Sequence, residues 1–235
     1  MFNIKGFIKT SLVDWDGKIT SVVFLPHCNF RCPFCHNKDI VLNPNEFENI
    51  SIEGIDSFLL ENRDFIDGVV ITGGEPTLHE NLPDLCRHFK KLGLLVKLDT
   101  NGSNPEMLRY LIKQKLVDYV AMDIKAPISD AKKYHISAGL DNLDIEKIKK
   151  SIDILKNTNI ESEFRTTIVP GLHTVEDVIE ISKSIGKESR FILQNFSPKN
   201  TLDDKFTGIK PYQREELEKM AMAAKKYVDN VKVRG

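Results

Sequence analysis

The sequence predicts an α/β fold in which parallel strands alternate with helices, and three observations carry that prediction. Six short β-branched or apolar runs recur along the 235 residues, at 19–25, 68–72, 95–99, 119–123, 161–168 and 190–195. Helical patterns with start and stop signals lie between them. Unusual polar residues follow the C-terminal ends of the runs, where open α/β sheets and barrels both build their sites.

The elements follow in order. Residues 1–18 alternate apolar and charged side chains and read as an N-terminal extension with no signal-peptide core. Run 19–25 leads into Pro26, His27 and Cys28, and run 68–72 into Gly73, Gly74, Glu75 and Pro76. Next comes a helix with Pro83 as its first residue and Gly93 past its last turn; Leu82, Leu85, Cys86, Phe89 and Leu92 share one face, which makes Cys86 a core residue. Run 95–99 leads through Asp99 into Thr100, Asn101 and Gly102, and Asn104 with Pro105 opens the following helix. Run 119–123 ends in Asp123, Ile124 and Lys125. Asp144 precedes a helix whose Lys147, Lys149 and Lys150 form a solvated face. Run 161–168 carries Arg165 and Thr167 and ends at Val169, Pro170 and Gly171; Thr174 with Asp177 then forms a capping pair. Run 190–195 ends in Gln194, Asn195 and Phe196, and a helix over 211–229 closes the chain, with Leu217, Met220, Ala221, Ala224 and Val228 on one face.

No repeat or linker divides the sequence, which predicts one domain over 1–235: a core at about 19–196, the extension 1–18 and the C-terminal helix. Helices between strands make the strands parallel with right-handed crossovers, in an open sheet or in a full or partial barrel. With 33 basic and 34 acidic residues, the net charge of −1 gives no global attraction to nucleic acid or anionic membrane. No run approaches the roughly 20 apolar residues of a membrane span, so the cytoplasm is the expected location.

Four cysteines are too few for a disulfide scaffold, and three of them, Cys28, Cys32 and Cys35, lie within eight residues as C-x3-C-x2-C. Three thiolates so close can converge on one soft metal centre. Zinc closed by His36 is one reading; a 4Fe-4S cluster with one iron left without a protein ligand, open to substrate, is the other.

The stretch Cys28-Asn29-Phe30-Arg31-Cys32-Pro33-Phe34-Cys35-His36-Asn37, followed by Gly73-Gly74-Glu75-Pro76, resembles the radical S-adenosylmethionine superfamily. Together with Lys5 to Lys18, Asp99-Thr100-Asn101-Gly102 and Asp123-Ile124-Lys125, it is similar more narrowly to activating enzymes of glycyl radical enzymes, above all those of anaerobic ribonucleoside-triphosphate reductase. The resemblance implies a partial (β/α)6 TIM-like barrel with the site at the strand C-terminal ends. It implies a 4Fe-4S cluster on Cys28, Cys32 and Cys35, with S-adenosylmethionine chelating the unique iron through its amine and carboxylate. It also implies that Phe34 lies near the adenine, that Gly73, Gly74 and Glu75 receive the amine end, and that Asp99, Thr100, Asp123 and Lys125 surround the carboxylate and ribose, with a monovalent cation near Asp99 and Asp123. Arg165 and Thr167 match further ribose or carboxylate contacts.

The implied activity is reductive cleavage of S-adenosylmethionine and hydrogen abstraction from a glycine Cα of a partner enzyme, with a flavodoxin or ferredoxin as electron donor. Two further readings are a radical enzyme acting on a small molecule, as 7-carboxy-7-deazaguanine synthases do, or on a peptide, and a zinc-binding interaction module. Where many relatives have glycine before the first cysteine, this chain has His27, which predicts a different loop geometry there. No second cysteine set is present, and the region after Gln194 matches no docking pattern.

Overall fold

The computed structural model describes residues 2–235, which form two compact units. The first comprises the chain up to Asn29, Asp39–Thr100 and Glu106–Val120; the second comprises Phe30–Lys38, Asn101–Pro105 and Ala121–Gly235.

In the first unit, strands β1 (Gly6–Ser11), β2 (Thr20–Leu25), β3 (Gly68–Gly73) and β4 (Leu95–Thr100) lie side by side in chain order. β2 pairs in parallel with β3 from Thr20↔Gly68 to Leu25↔Gly73, and β3 with β4 from Gly68↔Leu95 to Ile71↔Leu98. β2 and β3 are buried along nearly their whole length, as expected for parallel strands covered on both faces. Helix α1 (Lys38–Leu42) and helix α2 (Ile52–Glu61), capped by Ser51, carry the chain from β2 to β3. Helix α3 (Leu82–Lys91) buries Leu82, Leu85, Cys86 and Phe89, so Cys86 is a core residue, and burial pushes its thiol pKa up to about 12. Helix α4 (Pro105–Lys113) leads to β5 (Tyr119–Asp123).

In the second unit, β6 (Glu161–Ile168), β7 (Arg190–Asn195) and β8 (Asn230–Arg234) are parallel neighbours, registered from Phe164↔Phe191 and from Arg190↔Asn230. The end of β5 joins them, since Ile124 N–H donates to the Arg165 carbonyl at 2.8 Å. Helix α5 (Ala131–Ala138) stops at left-handed Gly139, where a Cβ would stand 1.8 Å from the Arg31 carbonyl oxygen. Helix α6 (Ile145–Lys156) is capped by Asp144, and helix α7 (Val175–Ile185) by the predicted Thr174–Asp177 box.

Three expectations are corrected. The extension 1–18 contains β1, which is antiparallel to β2, so the alternation of apolar and charged residues there is a strand signal. Pro83 is the second residue of its helix, one place later than predicted. The last helix, α8, spans Arg214–Ala224; beyond it Val228 N–H closes a turn on the Ala224 carbonyl and the chain turns into β8. Asn230-Val-Lys-Val-Arg has the period of a strand, and the exposed edge of β7 gives it a ladder to join.

Candidate functional site

In the first unit, parallel registration brings the ends of β2, β3 and β4 to one edge. The chain leaves β2 through Pro26 and His27, whose φ of 62° is left-handed. The conformation that favours glycine is thus adopted by a histidine, at a steric cost of about 1–2 kcal/mol. The His27 carbonyl accepts from Glu75 N–H at 2.8 Å, and the Leu25 carbonyl from Gly74 N–H at 2.8 Å. This approach leaves no room for side chains on β3's end. A Cβ at Gly74 would sit 1.7 Å from the His27 carbonyl oxygen, and Gly73 has φ +124° with a Cβ position 2.2 Å from the Leu25 carbonyl oxygen. The glycine pair therefore packs the backbone directly beneath the residue preceding Cys28.

Glu75 is 1% exposed. Its Oε1 accepts from Thr77 N–H at 3.0 Å, Thr77 Oγ1 at 2.5 Å and Thr100 Oγ1 at 2.7 Å, which joins two predicted residues, Glu75 and Thr100. On β4, Asp99 Oδ1 lies 3.6 Å from Nζ of Lys97, a lysine whose side chain is only 1% exposed. Lys97 also donates to the Asp14 carbonyl in the loop between β1 and β2, and its Nζ lies 5.4 Å from the centroid of the Tyr119 ring, against which Trp15 packs at 5.5 Å.

In the second unit, Asp123 at the end of β5 is bound on both oxygens: Arg165 Nε donates to Oδ1 at 2.8 Å and Lys125 Nζ to Oδ2 at 3.0 Å. Burial opposes ionisation of Asp123, but the two cations outweigh it and hold the carboxyl well below the usual range. Burial likewise opposes the charge on Lys125, and Asp123, with the nearby Cys32, outweighs it, so the ammonium persists. Thr167 lies two residues beyond Arg165 on the same face of β6, opposite Gln194.

The remainder of the cysteine loop belongs to this unit. Cys32 is buried, Cys35 is half-buried, and Cys35 N–H donates to the Cys32 carbonyl at 3.0 Å. Phe34 is buried edge-on to His173 at 6.2 Å and tilted against Phe206 at 6.5 Å. Residues 197–210 strap this loop down. Asp203 N–H donates to the Pro33 carbonyl at 2.9 Å, Asn200 Nδ2 to the His36 carbonyl at 3.1 Å, and His36 Nδ1 to the Lys199 carbonyl at 2.9 Å. Cys28 is half-buried in the first unit. Within either unit, no group of three or more His, Cys, Asp or Glu side chains is gathered for a metal among the described residues. The fit to an iron–sulfur cluster therefore lies in the donor set: three soft thiols on a short loop.

The family model of the radical S-adenosylmethionine superfamily matches residues 22–185. The chain belongs to that superfamily. A relative from Methanocaldococcus jannaschii, bearing the name of a glycyl-radical enzyme activating enzyme, is 37% identical over 98% of this chain and 95% of its own length. The pyruvate formate-lyase-activating enzyme of Clostridium pasteurianum is 28% identical over 93% of this chain and 88% of its own. Among solved structures, Streptococcus suis SuiB bound to precursor peptide SuiA has a TM-score of 0.67 at 18% identity, covering 91% of this chain and 48% of SuiB. This chain therefore spans about half the length of SuiB. The likeness places it in the fold of the superfamily's enzymes, an α/β partial barrel, as the sequence resemblance implies.

Sequence reasoning passed over Thr77, Lys97 and His173. The signal for Lys97 was a lysine inside an apolar strand, two residues from an aspartate. His173 carries no such mark, yet it is fully buried, with Nδ1 accepting from Val169 N–H at 3.0 Å and Nε2 donating to the Lys125 carbonyl at 2.8 Å. It thus ties the backbone of Lys125 to the ring of Phe34. Burial holds its pKa below the ordinary value despite the hydrogen bond to the Lys125 carbonyl and the charge of Asp177; Lys133 and Lys125, the other charged neighbours, act in the same direction as burial. In the unfolded chain this ring takes up a proton near pH 6.5, whereas in the folded chain it does so only at lower pH. Stability is therefore expected to fall as pH drops through about 6.5 toward the lower folded value, with a slope of at most about 1.4 kcal/mol per pH unit for this one group. His173→Gln should remove that contribution to the slope, read by urea unfolding between about pH 7 and pH 5, leaving the parallel one from His79, which burial also holds low.

Proposed function

We propose that this protein activates a glycyl radical enzyme, anaerobic ribonucleoside-triphosphate reductase being the partner that its motifs favour. The observation that carries the reading is the end-to-end similarity to the Methanocaldococcus jannaschii relative, together with the C-x3-C-x2-C loop. Cys28, Cys32 and Cys35 would hold a 4Fe-4S cluster, and Gly73, Gly74 and Glu75 would line the amine end of S-adenosylmethionine. Asp99, Thr100, Asp123, Lys125, Arg165 and Thr167 would surround its carboxylate and ribose, and Phe34 would flank the base. A monovalent cation near Asp99 and Asp123 belongs to the family pattern.

When bound, the cluster and S-adenosylmethionine together supply one-electron cleavage of the sulfonium and a carbon radical able to take hydrogen from a glycine Cα. The chain's own residues bind and orient. Lys125, held charged by Asp123, presents an ammonium suited to a carboxylate, and Arg165 is fixed on the same aspartate. The electron would come from a flavodoxin or ferredoxin, and the work would be done in the cytoplasm; among the described residues no helix is long and apolar enough to cross a membrane.

The test is anaerobic reconstitution, with electron paramagnetic resonance spectra recorded with and without S-adenosylmethionine and 5′-deoxyadenosine assayed after reduction. The expected result is a cluster signal altered by S-adenosylmethionine, 5′-deoxyadenosine, and a glycyl radical doublet when the anaerobic reductase is added. Cleavage without the doublet would remove this partner. A protein that binds stoichiometric zinc and leaves S-adenosylmethionine intact would remove the whole reading.

A further inference from the structure

We infer that this chain supplies its own cations at Asp99 and Asp123, and that neither carboxylate recruits a monovalent metal ion. The inference rests on the proposed function only in placing these aspartates beside the cofactor, and it departs from the cation that the family pattern implies. In the first unit, the ammonium of Lys97 is shut away from water and ion-paired with Asp99 at 3.6 Å. It is held there by the Asp14 carbonyl and the face of Tyr119. A buried ammonium persists only with such compensation, so Lys97 and Asp99 form a neutral pair.

In the second unit, each oxygen of Asp123 already accepts from a cation, Oδ1 from Arg165 and Oδ2 from Lys125. The formal charge of that group is +1, which repels a metal ion. A hard cation also needs several oxygen ligands. Here Asp123 has both of its oxygens committed to nitrogen donors, and any ion on Asp99 would sit beside an ammonium in a poorly screened interior. Lys97 is on this reading a positioning residue: it sets a cation against Asp99 from behind, anchored by the loop between β1 and β2.

The test compares sodium, potassium, choline and tetramethylammonium chlorides at one ionic strength. It follows thermal unfolding of the full-length apoprotein and the S-adenosylmethionine affinity of the reconstituted holoenzyme. The wild type is expected to respond to ionic strength alone, with no preference for sodium or potassium. Linkage to a bound cation typically changes affinity by roughly 5–150-fold, and a wild-type response of that size specific to sodium or potassium would overturn the inference. Lys97→Met keeps the apolar stem and removes the charge. It should create the missing dependence, with sodium or potassium raising the melting temperature and tightening cofactor binding. A folded Lys97→Met protein indifferent to the ion would refute the role given to Lys97. If Lys97→Met does not fold, the wild-type series decides alone. Should S-adenosylmethionine fail to bind in every salt, the functional reading falls, while the melting series still judges the cation.

Discussion

Cys32→Ser protein, reconstituted anaerobically, is expected to hold little iron and to lose S-adenosylmethionine cleavage by more than about 100-fold, since removal of even an outer-shell partner of a metal site costs about 10–100-fold. The reason lies in the donor set. A serine hydroxyl is a hard ligand that stays protonated near neutral pH, whereas iron in a sulfur cluster takes thiolates. If the three cysteines of C-x3-C-x2-C are the ligands, as proposed, each one lost leaves two, too few for three irons. The same substitution at Cys86 provides the contrast. Cys86 is fully buried in α3, so Cys86→Ser should leave iron content and spectrum intact and lower stability by about 1–3 kcal/mol, the cost of a buried hydroxyl in an apolar core. Iron analysis, absorption spectra and 5′-deoxyadenosine assays on the two variants separate the effects. An iron-replete, active Cys32→Ser protein would overturn the assignment of the ligands.

Asp123→Asn is expected to cost about 3 kcal/mol at neutral pH, because it leaves Arg165 and Lys125, both largely buried, without their shared anion. The pH dependence has a definite sign. The carboxyl pKa of Asp123 is depressed in the fold, so its stabilisation is complete above the unfolded value of about 3.9 and is lost as pH falls toward the lower folded value. Wild type and variant should therefore differ fully at pH 7 and converge only in strong acid. Replacing Lys125 by methionine as well should recover part of the loss, since one of the two stranded charges is then gone. Urea unfolding of the three apoproteins measures this. Equal stability of wild type and Asp123→Asn at pH 7 would show that the two cations are solvated well enough to need no partner.

All six predicted strands are present, three with the same bounds, because parallel strands covered on both faces must be apolar runs and turn residues must end them. The caps at Asp144 and Thr174 were legible for a similar local reason: the side chain that signals the helix start is the one that bonds there. The two outer strands were harder to see. β1 and β8 are half-exposed, so their apolar count is low, and only the neighbouring strand makes their alternation a strand. The site divides in the same way. Asp123 and Lys125 stand out as charges at a strand end and Arg165 as a charge inside a strand, and the structure joins them. Lys97 and His173 are held by the Asp14 and Lys125 carbonyls and by bonds or rings far along the chain, which no local pattern encodes.

The strap over the cysteine loop bears on the order in which the protein can be assembled in a cell. His36 is held by Lys199 and Asn200, 163 and 164 residues downstream, and Pro33 by Asp203. At synthesis rates of about 5–20 residues per second, the ribosome needs roughly ten to thirty seconds to bridge that interval. During that time the thiols of Cys32 and Cys35 lack the clamp that shapes their loop. Iron loading therefore belongs after translation of the strap. A nascent chain stalled before residue 197 should expose these cysteines to alkylation far more than the finished protein does.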